Sequence, residues 1–376
     1  MSSSAPDLGR TSLPPITLVE VIYPPDRGTI GLRGNHAPLS WEHTQPPDEV
    51  SGDRSLFRIP VPPGEVLEIK LVRNEEEWAA GRNYGVHAGD HMVLEPCFDR
   101  TKSRIEGPFE IDAGGSTLKF EVLLPPSYDE QDAREYPVIY AQDGQSLWTT
   151  SQDPFGVWHL DEELDRLFDL GAIEELIVVA IHTADDRVEL LSPTPDPSHG
   201  GGKGPEHLAA IVDHLLPHID EKYRTRTEPE DTCVLGSSMG GLFSFYAAWE
   251  RPDDFGKAAC ISSSFWWANR WAIKHVQRSR TPHPKPIFYI DSGASIRATE
   301  TDPNVRDGFY DTRSMYRALS DHTYAPGLDM NWLVFTNAKH NADAWRARIA
   351  VPLQILFPPK VRRPDAAKRE RRPRRR

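Results

Sequence analysis

The chain has 376 residues, of which 38% are hydrophobic and 26% are charged, and its formal net charge is −13. This length predicts two domains, and the composition is typical of a globular protein. Residues 360–376 contain ten basic and two acidic residues, so the rest of the chain carries a net charge of −21. An acidic body argues against nucleic-acid binding, and the lack of a long apolar run argues against a membrane span.

The N-terminal quarter has the pattern of a β-domain. Residues 1–15 are predicted to be a disordered leader. Residues 16–97 then contain short alternating apolar runs separated by turn residues, among them TLVEVIY, SLFRIPV, VLEIKLV and HMVLEP. Such runs without a helical period predict a small β-sandwich. Residues 98–108 are interpreted as a linker.

From residue 109 the pattern changes to alternating strands and helices. Apolar runs such as YPVIYAQ, LIVVAIH and TCVLG are separated by amphipathic segments such as EHLAAIVDHLLPHIDEKY. Strands buried on both faces and separated by helices indicate a mostly parallel sheet covered by helices. We therefore predict an α/β domain over residues 109–359, followed by a basic disordered tail over 360–376.

The segment Gly236-Ser237-Ser238-Met239-Gly240 lies between a strand-like run and a helical run. A nucleophile elbow has this arrangement, in which a serine occupies a tight strand-to-helix turn between small residues. The helix N-terminus supplies N–H groups to a developing oxyanion. Ser238 is thus the candidate nucleophile, and the domain is predicted to have the α/β-hydrolase fold.

In this fold a catalytic acid and then a histidine follow the serine along the chain. Among the later histidines, only His340 comes just after a late strand and before a final helix, so it is the candidate base. The acid should lie in the long loop after the strand IFYID, which Asp291 itself ends. Asp307, just before the next helix, is preferred, and Asp302 and Glu300 stay open as alternatives.

The oxyanion hole needs two backbone N–H groups. One should come from Met239, the residue after the nucleophile, and the other from the loop after an early strand. Asp143-Gly144-Gln145 follows such a strand. Gln145 is therefore the second candidate donor.

Four tryptophans lie near the predicted loop edges: Trp148, Trp158, Trp266 and Trp267. They are candidates to line an acyl or aromatic pocket, and packing in the core is the alternative for each of them.

Residues 118–358 resemble the esterase D and enterochelin-esterase family, which also includes feruloyl esterases and secreted mycolyltransferases. The resemblance rests on ordered motifs that include LLPPSYD, YPVIYAQDGQSLW, VLGSSMGGLFSFYAAWERPDDFG and KHNADAW. It implies ester hydrolysis and maps the family's nucleophile, base and oxyanion loop to Ser238, His340 and Gly144-Gln145. Many members carry the acid at the position of Ile296, so the resemblance does not identify the acid here.

Residues 16–96 resemble a starch-binding type of carbohydrate-binding module in the pieces GLRGNHAPLSW, VPPGEVLEIKLVR and EEWAAGRN. The resemblance implies that Trp41 and Trp78 stack on sugars while Lys70 and Asn83 bond to hydroxyl groups. The alternative is a β-sandwich that only packs on the hydrolase or covers its cleft.

The sequence thus predicts a serine esterase that works through a Ser-His-Asp triad and an acyl-enzyme, with no cofactor and no metal. The expected partner is a small-molecule ester, with sugar-linked and siderophore-linked esters both open, and neither nucleic acid nor membrane is expected. Three widely spaced cysteines and the lack of a secretory signal favour the cytoplasm. An acyltransferase and a non-catalytic glycan-binding protein are the alternatives, and the oligomeric state stays open.

Overall fold

The computed structural model describes residues 15–183, 186–294 and 307–359. These residues form two compact units, the first made of residues 15–101 and 129–132 and the second of 102–128 and 133–359. The predicted tail, and the predicted leader apart from residue 15, lie outside the described residues. No helix in the described ranges is both long and apolar enough to cross a membrane.

The first unit contains two sheets, as predicted for a β-domain. Their eight strands are β1 (Ile16–Ile22), β2 (Ile30–Gly34), β3 (Glu49–Ser51), β4 (Arg54–Pro60), β5 (Val66–Arg73), β6 (Glu77–Trp78), β7 (Tyr84–His87) and β8 (His91–Leu94). One sheet has the order β3-β4-β1-β8, and in the other β5 pairs with β2, β6 and β7. Val19 and Phe57 of the first sheet share a core with Leu32 and Ile69 of the second, because alternate strand residues point inward.

The second unit is organised around an eight-stranded sheet. Its strands are β9 (Arg104–Asp112), β10 (Thr117–Leu124), β11 (Val138–Gln142), β12 (Ile177–Ile181), β13 (Thr232–Ser237), β14 (Lys257–Ile261), β15 (Ile287–Ala294) and β16 (Met330–Thr336). Their order is β16-β15-β14-β13-β11-β12-β10-β9. The six strands β11 to β16 run parallel, while β10 is antiparallel to both of its neighbours, β12 and β9. This is the predicted mostly parallel sheet.

Helices follow most of the parallel strands. They are α1 (Leu160–Asp169), α2 (Arg187–Leu191), α3 (Gly204–Ala210), α4 (Leu216–Lys222), α5 (Met239–Glu250), α6 (Trp267–Arg278), α7 (Phe309–Asp321), α8 (Ala342–Arg346) and α9 (Ala350–Leu356). Short 3-10 turns cover Pro25–Arg27, Gly144–Ser146 and Pro229–Asp231. Separate apolar clusters bury the two faces of the sheet, with α5 contributing to one and α9 to the other. The fold is therefore an α/β-hydrolase fold with separate N-terminal sheets.

Two segments differ in detail from the sequence-based expectation. The proposed linker over 98–108 is shorter, because β9 already begins at Arg104. Gly107 and Pro108 made this segment resemble a loop, but β9 is an edge strand, where proline is tolerated. The expected single helix near 206–222 contains a π-helical turn at Ile211–Leu215, next to Pro217, which has no N–H to continue the regular ladder.

Candidate active site

Ser238 occupies the sharp turn between β13 and α5. Its backbone has φ 56° and ψ −116°, a conformation that is costly for a non-glycine residue and typical of functional sites. The turn is held in place because Ser238 N donates to Ile261 O at 2.9 Å and Ser264 N donates to Ser238 O at 2.9 Å. A Cβ atom on Gly236 would lie 2.5 Å from the carbonyl carbon of Gly240. The two glycines therefore allow the strand and helix backbones to approach each other closely.

His340 lies in the loop between β16 and α8. Its Nε2 atom is 2.8 Å from Oγ of Ser238, although the residues are 102 positions apart. Asn341 caps α8, because its side chain accepts a hydrogen bond from Ala344 N at 3.1 Å. The Trp345 ring packs edge-on against the imidazole with 5.1 Å between centroids. The cap and the indole together fix the loop that presents His340 to Ser238.

Asp307 lies two residues before the start of α7, and its side chain is fully buried. Its Oδ1 atom lies 2.5 Å from Nδ1 of His340. Its Oδ2 atom accepts hydrogen bonds from Ser262 Oγ at 2.5 Å and from Gly293 N at 2.6 Å. The two alternative acids, Asp302 and Glu300, lie outside the described residues.

Asp291 does not point to His340. It was expected to end its strand, but it lies inside β15, which continues to Ala294, and it forms a buried ion pair with Arg348 at 3.0 Å. Burial raises the pKa of the Asp291 carboxyl, and the Arg348 guanidinium opposes this shift. The structure thus brings Ser238, His340 and Asp307 together, while the catalytic role of each stays a prediction.

The predicted oxyanion loop forms a 3-10 turn over Gly144–Ser146, directly after β11. Gln145 lines the same cavity as Ser238, and Met239 is the first residue of α5. The preceding Asp143 is held by three charged or polar contacts: Arg187 Nε and Nη2 donate to its two oxygens at 2.8 Å each, and Thr183 Oγ1 donates at 2.6 Å. These contacts fix the backbone from which Gln145 would donate its N–H.

A cavity of about 870 Å³ opens at Ser238. Its wall includes the aromatic side chains of Phe155, Trp158 and Trp345, together with Arg187 and Asn341. Sequence reasoning had suggested Trp158 as a pocket residue, but it missed Phe155, Trp345 and Arg187. The KHNADAW motif could have indicated Trp345, which comes one helical turn after the loop of His340.

Some tryptophans named as pocket candidates lie elsewhere. Trp148 is 1% exposed and belongs to a core cluster, and Trp267 is also buried, with its Nε1 donating to Thr194 O at 2.7 Å. Trp266 is exposed and packs against the His199 ring. Of the four tryptophans proposed from the sequence, Trp158 alone is among the residues that line this cavity.

Two of the four N-terminal residues that the resemblance assigns to sugar binding, Trp41 and Trp78, lie close together. The rings of Trp41 and Trp78 are 6.3 Å apart, and the guanidinium of Arg33 lies 5.0 Å from the Trp78 centroid. Asn83 is exposed, whereas Lys70 is buried and its Nζ donates to the backbone oxygens of residues 81 and 82. Sugar binding by this unit stays a prediction.

Three further titratable side chains near the sheet, those of His207, Cys233 and Cys260, are buried, and burial favours the uncharged form of each. Burial lowers the pKa of His207 to about 4, and the imidazole Nε2 lies 3.1 Å from Oε1 of Gln142, the last residue of β11. Burial raises the pKa of Cys233 to about 12 and that of Cys260 well above its usual value. Both cysteines are buried free thiols, as the strand-like sequence around them predicts. In the described ranges, no group of three or more His, Cys, Asp or Glu side chains is arranged to hold a metal ion.

Residues 112–354 match the family model named Esterase. The uncharacterized protein YbbA of Bacillus subtilis strain 168 is 31% identical over 209 residues, which cover 54% of this chain and 78% of YbbA. The iron(III) enterobactin esterase of Escherichia coli strain K12 is 26% identical over 205 residues, covering 52% of this chain and 46% of that protein. The chain thus matches less than half the length of that esterase.

Solved structures share the fold at low sequence identity. A ferulic acid esterase is 17% identical with a TM-score of 0.51, and the match covers 68% of this chain and 98% of that one. The enterobactin esterase FES from Shigella flexneri is 13% identical with a TM-score of 0.51, covering 90% of this chain and 92% of that one. The family model and the matching fold lead to one conclusion: this chain belongs to the Esterase family and is a carboxylic-ester hydrolase.

Proposed function

We propose that the chain hydrolyses small-molecule carboxylic esters through a Ser238–His340–Asp307 triad and an acyl-enzyme intermediate. The observation that carries the proposal is the continuous line of contacts from Ser238 Oγ to His340 Nε2 at 2.8 Å and from His340 Nδ1 to Asp307 Oδ1 at 2.5 Å. A nucleophile, a base and an orienting carboxylate within hydrogen-bond reach are what acyl transfer by a serine requires.

In the first step, Ser238 Oγ attacks the ester carbonyl while His340 Nε2 accepts the hydroxyl proton. Asp307 keeps Nδ1 protonated and stabilises the imidazolium that forms. The backbone N–H groups of Met239 and Gln145 donate to the carbonyl oxygen as it becomes negative. His340 then gives its proton to the departing alcohol, and the acyl group remains on Ser238. Water, deprotonated by His340, attacks this ester and releases the acid.

The cavity supports a preference for esters with an aromatic acyl or alkyl group. Phe155, Trp158 and Trp345 offer aromatic surface beside the nucleophile, and Arg187 and Asn341 offer polar contacts at the same wall. The relatives named as enterobactin and ferulic acid esterases point to the same class. Siderophore-linked and feruloylated sugar esters therefore head the list of substrates to test. The buried free thiols of Cys233 and Cys260 support action in a reducing compartment such as the cytoplasm.

The proposal is tested by labelling the purified protein with a fluorescent fluorophosphonate and measuring p-nitrophenyl acetate turnover. We expect both signals in the wild type and neither in Ser238→Ala. Ser244→Ala is the matched control, because Ser244 is a buried serine of α5, the helix that follows Ser238, and its Oγ donates to Gly240 O instead of lining the cavity. It should keep both signals.

An unlabelled wild type, or a Ser238→Ala variant that keeps its label, would contradict the triad. A labelled enzyme that transfers its acyl group to an added alcohol or sugar faster than to water would indicate an acyltransferase on the same residues. A folded protein that binds glycans but shows no label would indicate the non-catalytic alternative. These outcomes separate the three classes.

A further inference from the structure

We infer that Arg348 is a positioning residue that orients Asp307 toward His340, with Asp291 as the counter-ion of the guanidinium. This inference rests on the proposed triad. Arg348 lies between α8 and α9, eight residues after His340, and its side chain is only 3% exposed. Both carboxylates that it contacts are fully buried. A buried guanidinium between two buried carboxylates is a costly arrangement unless its contacts are satisfied.

The contacts of Arg348 join the two carboxylates. Its Nε donates to Asp291 Oδ2 at 3.0 Å and its Nη2 to Asp291 Oδ1 at 3.2 Å. The same Nη2 lies 3.3 Å from Asp307 Oδ2, the oxygen that does not face His340. Arg348 therefore contacts the far side of the carboxylate whose near side contacts the imidazole.

Ser262 completes the connection between these groups. Its Oγ accepts a hydrogen bond from Arg348 Nη2 and donates to Asp307 Oδ2 at 2.5 Å. Its backbone N donates to Asp291 Oδ1 at 2.9 Å. Asp307 Oδ2 thus receives Ser262, Gly293 N and Arg348, which leaves Oδ1 directed at His340. Rotation of the carboxylate would break all of these contacts.

The charges of these groups explain why the Arg348 guanidinium needs the Asp291 carboxylate as a partner. Four donated hydrogen bonds converge on Asp291, from Arg348 twice, from Ser262 N and from the Tyr289 hydroxyl at 2.9 Å, so this carboxylate acts only as an acceptor. Asp291, Arg348 and Asp307 then carry a combined charge of one negative unit beside His340. Without Asp291, the cation would weaken the negative field that stabilises the imidazolium. Without Arg348, two buried carboxylates would share a proton.

The other side chains that surround Arg348, Asp291 and Asp307 come from β15, β16 and the loop after β16. The Tyr289 hydroxyl comes from β15, His340 comes from the loop after β16, and the Phe335 ring of β16 lies 5.2 Å from the guanidinium carbon. The titratable partners given by these contacts are thus Asp291, Tyr289, Asp307 and His340. Substitutions of Arg348 and of Asp291 should therefore move the acidic limb of the pH profile of kcat in opposite directions.

The experiment measures kcat and KM for p-nitrophenyl acetate against pH in R348M, R348K, D291N and the double variant R348M/D291N. We expect R348M to lower kcat by about 10- to 100-fold while KM changes by less than about twofold. The acidic limb of its pH profile of kcat should move to higher pH, because the proton that Asp291 and Asp307 share must be lost before Asp307 can stabilise the imidazolium of His340. D291N should move the limb to lower pH by about one pH unit. The double variant should return the limb toward that of the wild type.

R348K tests geometry apart from charge. Lysine keeps the positive charge, but its single nitrogen cannot reproduce the two-nitrogen contact of the guanidinium with Asp291, so we expect kcat between those of R348M and the wild type. R226M is the matched control, because Arg226 is a half-buried arginine that also contacts two carboxylates, Glu174 and Asp231. It should lower the melting temperature and leave kcat and the pH profile unchanged.

Folded variants with the kcat and pH profile of the wild type would overturn the inference. So would losses of kcat that follow the melting temperature alone, as in a purely structural ion pair. If R348M does not fold, R348K and D291N decide the question in the same way. An unlabelled, inactive wild type would instead overturn the proposed triad, and the inference with it.

Discussion

The Nδ1 atom of His340 lies 2.5 Å from Oδ1 of Asp307, although the two residues come from different loops 33 positions apart. Asp307 is fully buried and its second oxygen is held by other donors, so the carboxylate has a single orientation relative to the imidazole. This geometry supports Asp307 as the proposed catalytic acid, so its replacement should slow catalysis.

Asp307→Asn should lower kcat for p-nitrophenyl acetate by about 10²- to 10⁴-fold with little change in KM. An amide can neither hold the correct imidazole tautomer nor stabilise the imidazolium. Steady-state kinetics check this, with Asp311→Asn as control because Asp311 of α7 pairs with Arg270 of α6 instead of with His340. A fully active Asp307→Asn variant would show that another group is the acid.

Arg187→Met should lower kcat by about 10-fold or more. Arg187 holds Asp143 through two contacts of 2.8 Å, and its Nη2 also lies 3.3 Å from Ser237 O. Its loss frees the backbone that leads to Gln145, so the proposed oxyanion donor is less well placed. Arg251→Met, which removes a comparable pair with Asp254, should leave kcat unchanged. Equal kinetics for the two variants would argue against this role.

Gly236→Ala should destabilise the protein by about 1–3 kcal/mol or prevent folding. The new methyl group would lie 2.5 Å from the Gly240 backbone, where the strand and helix of the elbow meet. Urea unfolding followed by circular dichroism measures the difference. Gly85→Ala is the control, since its Cβ would meet only the Val66 side chain at 3.3 Å, and it should cost much less.

Acidification should lower the free energy of unfolding, because His207 is buried in the folded state. Burial lowers its pKa in the folded state to about 4, while an unfolded histidine has a pKa near its ordinary value of 6.5. Between these values the unfolded chain binds more protons, so stability falls as the pH falls from 6.5 to about 4 and then changes no further on this account. The difference corresponds to about 3 kcal/mol.

Urea unfolding at several pH values checks this dependence. His207→Gln should flatten the slope of unfolding free energy between pH 6.5 and 4, because it removes the buried titrating group. His214→Gln replaces an exposed histidine of the same helical region and should keep the slope. An unchanged slope in His207→Gln would mean that other groups cause the acid sensitivity.

The sequence alone determined the features that depend on local pattern. The strand–Gly-Ser-Ser-Met-Gly–helix succession identified Ser238 as the candidate nucleophile, because an elbow is made by neighbouring residues and needs small ones. The alternation of apolar runs predicted the mostly parallel sheet, since burial on both faces requires continuous apolar strands. The position of His340 after a late strand followed from the same reasoning.

Which groups meet around those residues depends on the packing of the whole unit and follows from no local pattern. The sequence could prefer Asp307 but could not place it against His340, because its position depends on contacts with Ser262, Gly293 and Arg348 from distant parts of the chain. Arg348 itself has no local signature, since a buried arginine and an exposed one look the same in a sequence. Long-range side-chain contacts and burial are set by packing of the whole unit, which local patterns do not encode.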